Sequence, residues 1–393
     1  MKNGKYEIKL MNKIAAVGTD QFDSDKFVCS DSAEQPEGIL VRSADMLNYE
    51  FNDELLCIGR AGIGVNNIPI DRCSEAGIAV FNTPGANANA VKELAVCALL
   101  LSSRKITDGI EWTKTLAGTE GVAKAVEKGK AQFVGPELKG KTLGVIGLGA
   151  IGATIANIAY RLGMDVYGCD PYLTVESAWT INRLIHRVSS RKEIYENCDY
   201  ITIHVPLTPE TKHMINAESI AQMKDGVRII NLARGELVND DDMAAALESG
   251  KVAAYVTDFP NEKTLAMKNT ICIPHLGAST PESEDNCAVM AAEELQNYIL
   301  RGTIVNSVNL PNIDMPMEEN FRLCVIHKNI PNMLGLISTS FAESGFNIEH
   351  MTNRSKKDYA VTILDTDAIP SDAILEKIKA VPGILRVRII EKQ

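Results

Sequence analysis

The stretch KTLGVIGLGAIGATIANIAYRLGMDVYGCD, residues 141–170, decides how the rest of the chain is read. Its opening, TLGVIG, is short and apolar, as a buried strand is. Gly147, Gly149 and Gly152 then form G-x-G-x-x-G, which alone says little because glycine-rich turns are common. Here a helix-patterned segment, AIGATIANIAYRLG, runs straight out of it, and a second strand pattern, MDVYGCD, ends in Asp170, 18 residues beyond Gly152. That context makes the pattern a dinucleotide fingerprint. The glycines and the first helical residues, Ala150 and Ile151, let backbone approach a pyrophosphate at the helix N-terminus. The Asp170 carboxylate accepts from a ribose 2′-hydroxyl and repels a 2′-phosphate, and no arginine follows it, which favours NAD over NADP.

Outward from this unit, strand patterns continue at DYITIHVP, GVRIINLA, VAAYVTDF and TICIPHL, separated by the helical stretches SIAQM and DDDMAAALESG. The first third of the chain gives KIAAVG, GILVRSA, LLCIGRAG and IAVFNTPG, each ending in a turn, and then a helix pattern, NANAVKELAVCALLLSSR, with asparagines as caps. Strand–helix alternation on this scale predicts an α/β protein with a doubly wound parallel sheet. A helix is expected over 281–302, then a short strand, VNSVNLP, and a polar linker over 312–320. Residues 321–393 read as a third, small domain with the order βαββαβ.

Composition narrows the function classes. The formal charge of −11 argues against a nucleic-acid partner. The 9 cysteines stand singly and the 6 histidines lack ligand spacing, which predicts reduced thiols and no metal. The N-terminus has no apolar core of a signal peptide, and LAVCALLL (94–101) is too short to span a bilayer, so a cytoplasmic protein without membrane contact is expected.

RAGIGVNNI (60–68), NTPGANANAVKELA (82–95), GLGAIG, HVPLTPET (204–211), INLARGELV (230–238) and PHLGAST (274–280) come in the order found in D-isomer-specific 2-hydroxyacid dehydrogenases. The chain resembles that family over nearly all of residues 14–310. The resemblance implies a flavodoxin-like substrate domain from 1–86 and 282–311, an inserted Rossmann NAD-binding domain over 87–281, and an active site in the cleft between them. It implies that Arg234 holds the substrate carboxylate, that His275 is the general acid/base at carbon 2, and that Gly62 and Ile63 offer N–H groups to the carboxylate. His204, Val205, Pro206, Leu232, Ala233, Asp258, Gly277 and Ala278 would line the cofactor. The family pattern D-V-F-x-x-E-P is one residue shorter here, Asp258–Phe259–Pro260–Asn261–Glu262–Lys263. Without a gap the catalytic acid falls on Lys263, which could not raise a histidine's basicity. With one deletion it falls on Glu262, which is taken as the partner of His275.

Arg42 and Ser43 in VRSA and Arg60 in GRAG stand at the ends of first-domain strands, with Asn87 a further polar position. They offer more positive charge than one carboxylate needs and resemble the phosphate-binding positions of family members that act on a phosphorylated hydroxy acid. Rival readings are a reductase of unphosphorylated hydroxypyruvate or glyoxylate, and a non-enzymatic NAD sensor. HKNIPNMLG and GFNIEHM resemble an ACT regulatory domain, implying an L-serine effector held by His327, Asn329 and Asn347 and a homodimer or homotetramer. Asn332 stands where that motif has glycine.

Overall fold

In the computed structural model, which describes residues 4–392, the short aliphatic runs pair side by side as strands. The first sheet takes β1 (Tyr6–Leu10), β2 (Phe27–Ser30), β3 (Gly38–Val41), β4 (Cys57–Arg60) and β5 (Ala79–Asn82) in the order β2-β1-β3-β4-β5, all parallel. One expected strand is not there. KIAAVG is a short helix, Ala16–Thr19, because its small residues permit a close helix–helix approach. A Cβ on Gly18 would lie 2.5 Å from the Cβ of Ala288 in the long helix Pro281–Arg301. The first strand is instead YEIKL, in which only Ile8 is buried, too little apolar sequence to stand out.

The long helix buries Ala288, Ala291, Leu295 and Ile299, and a Cβ on Gly59 of β4 would come 2.4 Å from Leu295. VNSVNLP forms no strand of its own; it makes only the bridge Phe81↔Ser307. The buried Asn309 side chain takes over the pairing, accepting from Val80 N at 2.9 Å and donating to Ile78 O at 2.9 Å.

The second sheet holds β6 (Thr142–Ile146), β7 (Asp165–Cys169), β8 (His186–Arg187), β9 (Tyr200–Ile203), β10 (Val227–Asn231), β11 (Val252–Thr257) and β12 (Thr270–Cys272). Its order, β12-β11-β10-β9-β6-β7-β8, reverses direction between β6 and β9. In doubly wound sheets ligands bind beyond the carboxyl ends of the strands at such a reversal.

The third sheet is antiparallel: β13 (Phe321–Lys328), β14 (His350–Lys356), β15 (Tyr359–Thr366) and β16 (Ile384–Glu391), in the order β14-β15-β13-β16. Leu323, Val325 and Leu364 on one face meet Ile337, Phe341, Ile374 and Ile378 of its two helices. Cys324, Ile326, Val361, Ile363 and Ile390 on the other share a core with Tyr298, Ile299, Ile304 and Ile313. The segment expected to stand alone therefore belongs to one compact unit with the first sheet, made of residues up to Ala86 and from Pro281 onward; Asn87–Thr280 form the other. Arg322 and Asp365, both fully buried, pair through Nε–Oδ1 at 2.7 Å and Nη2–Oδ2 at 2.8 Å. Arg322 also donates to Arg301 O (2.8 Å) and Pro316 O (2.9 Å), tying helix end and linker to the sheet. No helix among the described residues is long and apolar enough to cross a membrane.

Candidate active site

The glycines of the fingerprint occupy the reversal between β6 and β9, and each answers a different demand. Gly147 has φ +91°, and a Cβ there would lie 2.4 Å from His204 O. A Cβ on Gly152, in the helix Ala150–Arg161, would come 1.8 Å from Gly147 O, so helix and strand pack where only glycine fits. At Gly149 a Cβ would meet nothing within 4 Å, leaving open space at the helix N-terminus for a pyrophosphate. Asp170 accepts from Leu148 N and Tyr172 N at 2.8 Å each, which fixes the carboxylate at the end of β7 with a lone pair left on each oxygen. These residues fit a dinucleotide with a free ribose 2′-hydroxyl.

Just after β9, His204 exchanges a hydrogen bond of 2.8 Å between Nε2 and Thr202 Oγ1. Burial pushes its pKa down to about 3, so the ring is neutral at physiological pH. Val205 is half-buried and Pro206 exposed, while Leu232 is buried and Ala233 half-buried at the end of β10. The turn that delivers Arg234 is shaped by the buried Asn231. Its Nδ2 donates to Arg234 O at 2.8 Å and its Oδ1 accepts from Ala233 N at 3.2 Å.

Arg234 is exposed, with Nη1 donating to Ala233 O at 2.6 Å and its guanidinium 6.0 Å from the centre of the Phe259 ring. The same ring stands 4.7 Å from the exposed imidazole of His275. Phe259 thus touches both the candidate carboxylate anchor and the candidate acid/base, a positioning role that its place directly after Asp258 could have suggested. Asp258 is 1 % exposed, and neither carboxylate oxygen has a hydrogen-bond partner among the described residues. Burial pushes its pKa up, opposed first by the His275 ring, then by the Gly277 amide and the charge of Arg234. The buried Gly277 flanks it closely, since a Cβ there would lie 3.3 Å from Asp258 Oδ2; Ala278 beside it is half-buried.

Glu262, assigned above as the partner of His275, does not meet it. It opens the short helix Glu262–Ala266, exposed, behind the N-cap Asn261, whose side chain accepts from Lys263 N and Thr264 N. Asn261 turns the chain into a helix immediately after Pro260, and that carries Glu262 outward. Lys263 pairs with Asp241 at 2.6 Å. The charge of the His275 ring acts on the buried Asp258 carboxylate.

In the other unit, Arg42 and Arg60 stand at the carboxyl ends of the neighbouring strands β3 and β4. The Asn12 side chain, which sequence reasoning passed over, accepts from the backbone N–H groups of Arg42, Ser43 and Ala44 at 3.2, 3.0 and 2.8 Å, and so shapes the loop. Arg42 Nη2 lies 2.6 Å from Glu284 Oε1 of the long helix. Arg60 keeps a buried Nε with no partner, and burial, then the charge of Arg42, lowers its pKa. Gly62, at φ +143°, admits the Arg60 guanidinium where a Cβ would lie 1.4 Å from Nη1. Ile63 O accepts from Asn82 Nδ2 at 2.8 Å. Asn87 is a buried helix N-cap whose Oδ1 has no partner. Of the remaining candidates, His327 is 3 % exposed with both ring nitrogens engaged, to Lys328 O (2.8 Å) and Thr362 Oγ1 (2.9 Å). Asn329 donates to Lys357 O at 3.0 Å and Asn347 to Glu349 Oε1 at 2.6 Å, both exposed.

A dinucleotide cradle followed on one sheet by an arginine, a buried carboxylate and a histidine around one aromatic ring defines a nicotinamide-dependent dehydrogenase. Residues 97–277 match the model of the D-isomer specific 2-hydroxyacid dehydrogenase NAD binding domain. The chain is 31 % identical over 367 residues to a D-3-phosphoglycerate dehydrogenase of Haemophilus influenzae, covering 88 % of this chain and 84 % of that protein. It is 31 % identical over 358 residues to one of Escherichia coli, covering 86 % and 82 %. An NAD+-bound 3-phosphoglycerate dehydrogenase of Entamoeba histolytica superposes with a TM-score of 0.59 at 26 % identity, covering 77 % of this chain and 99 % of that one. The chain belongs to the D-isomer specific 2-hydroxyacid dehydrogenase family, and its cofactor is NAD.

Proposed function

We propose that this protein oxidises 3-phospho-D-glycerate to 3-phosphohydroxypyruvate, the first step of L-serine synthesis. The observation that carries this reading is the pair of guanidiniums, Arg42 and Arg60, at adjacent strand ends in addition to Arg234. Arg234 takes the planar carboxylate with its fork of donors, aided by the N–H groups of Gly62 and Ile63. Arg42, Ser43 and Arg60 take the phosphate, with Asn87 as a further polar contact. His275 removes the proton of the carbon-2 hydroxyl, and Asp258, in place of Glu262, stabilises the imidazolium that forms. Phe259 keeps Arg234 and His275 in register. Bound NAD supplies the hydride acceptor.

The proposal extends to the domain layout: substrate binding by 1–86 and 282–311, NAD binding by 87–281, a linker over 312–320, and an ACT regulatory domain over 321–393 whose pairing would give a homodimer or homotetramer. The βαββαβ order of the third sheet supports the last of these.

The test compares NAD reduction with 3-phosphoglycerate and with an unphosphorylated D-2-hydroxy acid. A charge-assisted contact contributes roughly 1.5–3 kcal/mol, so Arg42→Ala should raise KM about 10- to 100-fold for the phosphorylated substrate alone. Equal effects on both substrates would remove the phosphate role. One observation favours a reductase of unphosphorylated 2-oxo acids, namely the neutralisation of Arg42 by Glu284; a higher kcat/KM for hydroxypyruvate or glyoxylate would establish that alternative.

A further inference from the structure

The long helix Pro281–Arg301 carries Glu284 in its first turn, and that turn reaches the carboxyl ends of β3 and β4 within the same compact unit. Glu284 Oε1 accepts from Arg42 Nη2 at 2.6 Å. Cys287, three residues on and so on the same face of the helix, is near enough to act on the Arg60 guanidinium. One carboxylate is thereby set against one of two neighbouring guanidiniums. The loop that carries Arg42 is fixed, because Asn12 Oδ1 holds the N–H groups of Arg42, Ser43 and Ala44 at 3.2, 3.0 and 2.8 Å. The two side chains of the pair are 41 % and 43 % exposed, so each has solvent to turn into while the backbone stays in place.

We propose that Glu284 is a specificity-determining residue, a carboxylate seated on Arg42 that the phosphate of the substrate displaces. This rests on the proposed function, which gives Arg42 and Arg60 to the phosphate. Charge balance requires the exchange. A phosphomonoester carries about −1.5 to −2 charge at pH 7, which the two guanidiniums match. With Glu284 on Arg42, half of that positive charge is cancelled, and the dianion would lie beside a carboxylate, an arrangement that opposes binding. An uncharged distal group meets no such conflict, since a hydroxyl donates to Glu284 where it sits.

Arg60 needs no exchange. Its Nε has no partner among the described residues, and its Nη1 reaches Ala61 O at 3.5 Å, the outer limit of a hydrogen bond. Arg60 is therefore the standing half of the phosphate seat and Arg42 the half that changes partner. The neutralised Arg42 belongs to the site before substrate enters. With Glu284 in place the site suits a neutral distal group; with Glu284 turned away it suits a dianion.

Inorganic phosphate is the probe, with its binding read from the line width of its phosphorus resonance. The full-length protein is held with saturating NAD so that the dinucleotide cradle is filled. Glu284→Gln keeps the size of the side chain and removes its charge. It should tighten phosphate binding about 2- to 5-fold, the modest effect of an ion pair this exposed. Arg42→Ala should weaken phosphate binding, and in that background Glu284→Gln should change nothing further, which closes a double-mutant cycle. In turnover, the ratio of kcat/KM for 3-phosphoglycerate to that for an unphosphorylated D-2-hydroxy acid should rise about 2- to 5-fold in Glu284→Gln. Phosphate binding unchanged or weakened by Glu284→Gln, an equal gain with and without Arg42, no phosphate binding by either form, or a specificity ratio that stays constant would each overturn the proposal. Absence of 3-phosphoglycerate oxidation in every form would instead overturn the substrate reading and leave the phosphate cycle as the judge of the exchange.

Discussion

Asp258 has to be read together with His275. Its carboxylate is enclosed, and its pKa is raised by burial. A carboxyl whose pKa is raised on folding contributes stability that is complete below its ordinary value near 3.8 and is lost as pH rises through the folded value. At neutral pH Asp258 is therefore held at a cost, and Asp258→Asn should raise the melting temperature while lowering kcat/KM by roughly 10²- to 10⁴-fold, the usual yield of acid–base catalysis. A carboxylate raises the basicity of an adjacent imidazole, so the acid limb of the kcat/KM profile should also move to lower pH in this variant. Glu262→Gln should leave both limb and melting temperature unchanged, because Glu262 is exposed and does not touch His275. A limb that moves with Glu262 and not with Asp258 would restore the assignment made from sequence. Arg234 and His275 belong to short, rigidly placed motifs, and the structure sets both beside the Phe259 ring. The placement of Glu262 is not legible in the same way, because spacing along a shortened loop does not say that Asn261 starts a helix there.

The β6–turn–helix element was legible almost completely, because a strand, three spaced glycines, a helix and a terminal aspartate constrain one another. What the sequence leaves open is which glycine serves packing and which serves the ligand. Gly152→Ala would place a methyl 1.8 Å from Gly147 O, against backbone that cannot give way. Overpacking of that kind costs ~1–3 kcal/mol or more, and thermal melts without cofactor should show it. Gly149 has φ −68° and open space around its missing Cβ, so Gly149→Ala should melt within a degree or two of the parent, a change of about 0.5 kcal/mol or less. Its methyl would fill the space left for the pyrophosphate, so the Kd for NAD, read by quenching of NADH or protein fluorescence, should rise about tenfold or more. Equal losses of stability in the two variants would contradict this division of labour. Elements made of few apolar residues were misread instead: YEIKL buries only Ile8, and VNSVNLP pairs through the Asn309 side chain rather than a ladder.

At the scale of the whole chain, the sequence of the last seventy or so residues reads as a separate module, yet its sheet is covered on both faces. The sign of this was available in β13: LCVI is an unbroken apolar run, and a strand apolar at every position is buried on both faces. Two helices cover only one of them, so the other must find a partner, and it finds Tyr298, Ile299, Ile304 and Ile313. The buried pair of Arg322 and Asp365 helps to fix that docking, because Arg322 also reaches the end of the long helix and the linker. Removing one partner of a buried ion pair typically costs ~3–5 kcal/mol, whereas replacing both by well-packed apolar groups is often neutral. Arg322→Ala should therefore shift urea unfolding of the first unit to markedly lower denaturant. Arg322→Met combined with Asp365→Leu should recover most of the loss. If the antiparallel sheet were an independent module, Arg322→Ala would melt it alone and leave a second, unshifted transition for the first sheet. A shared core requires one transition that moves as a whole, followed by the fluorescence of Tyr298 and its neighbours and by far-ultraviolet circular dichroism in parallel.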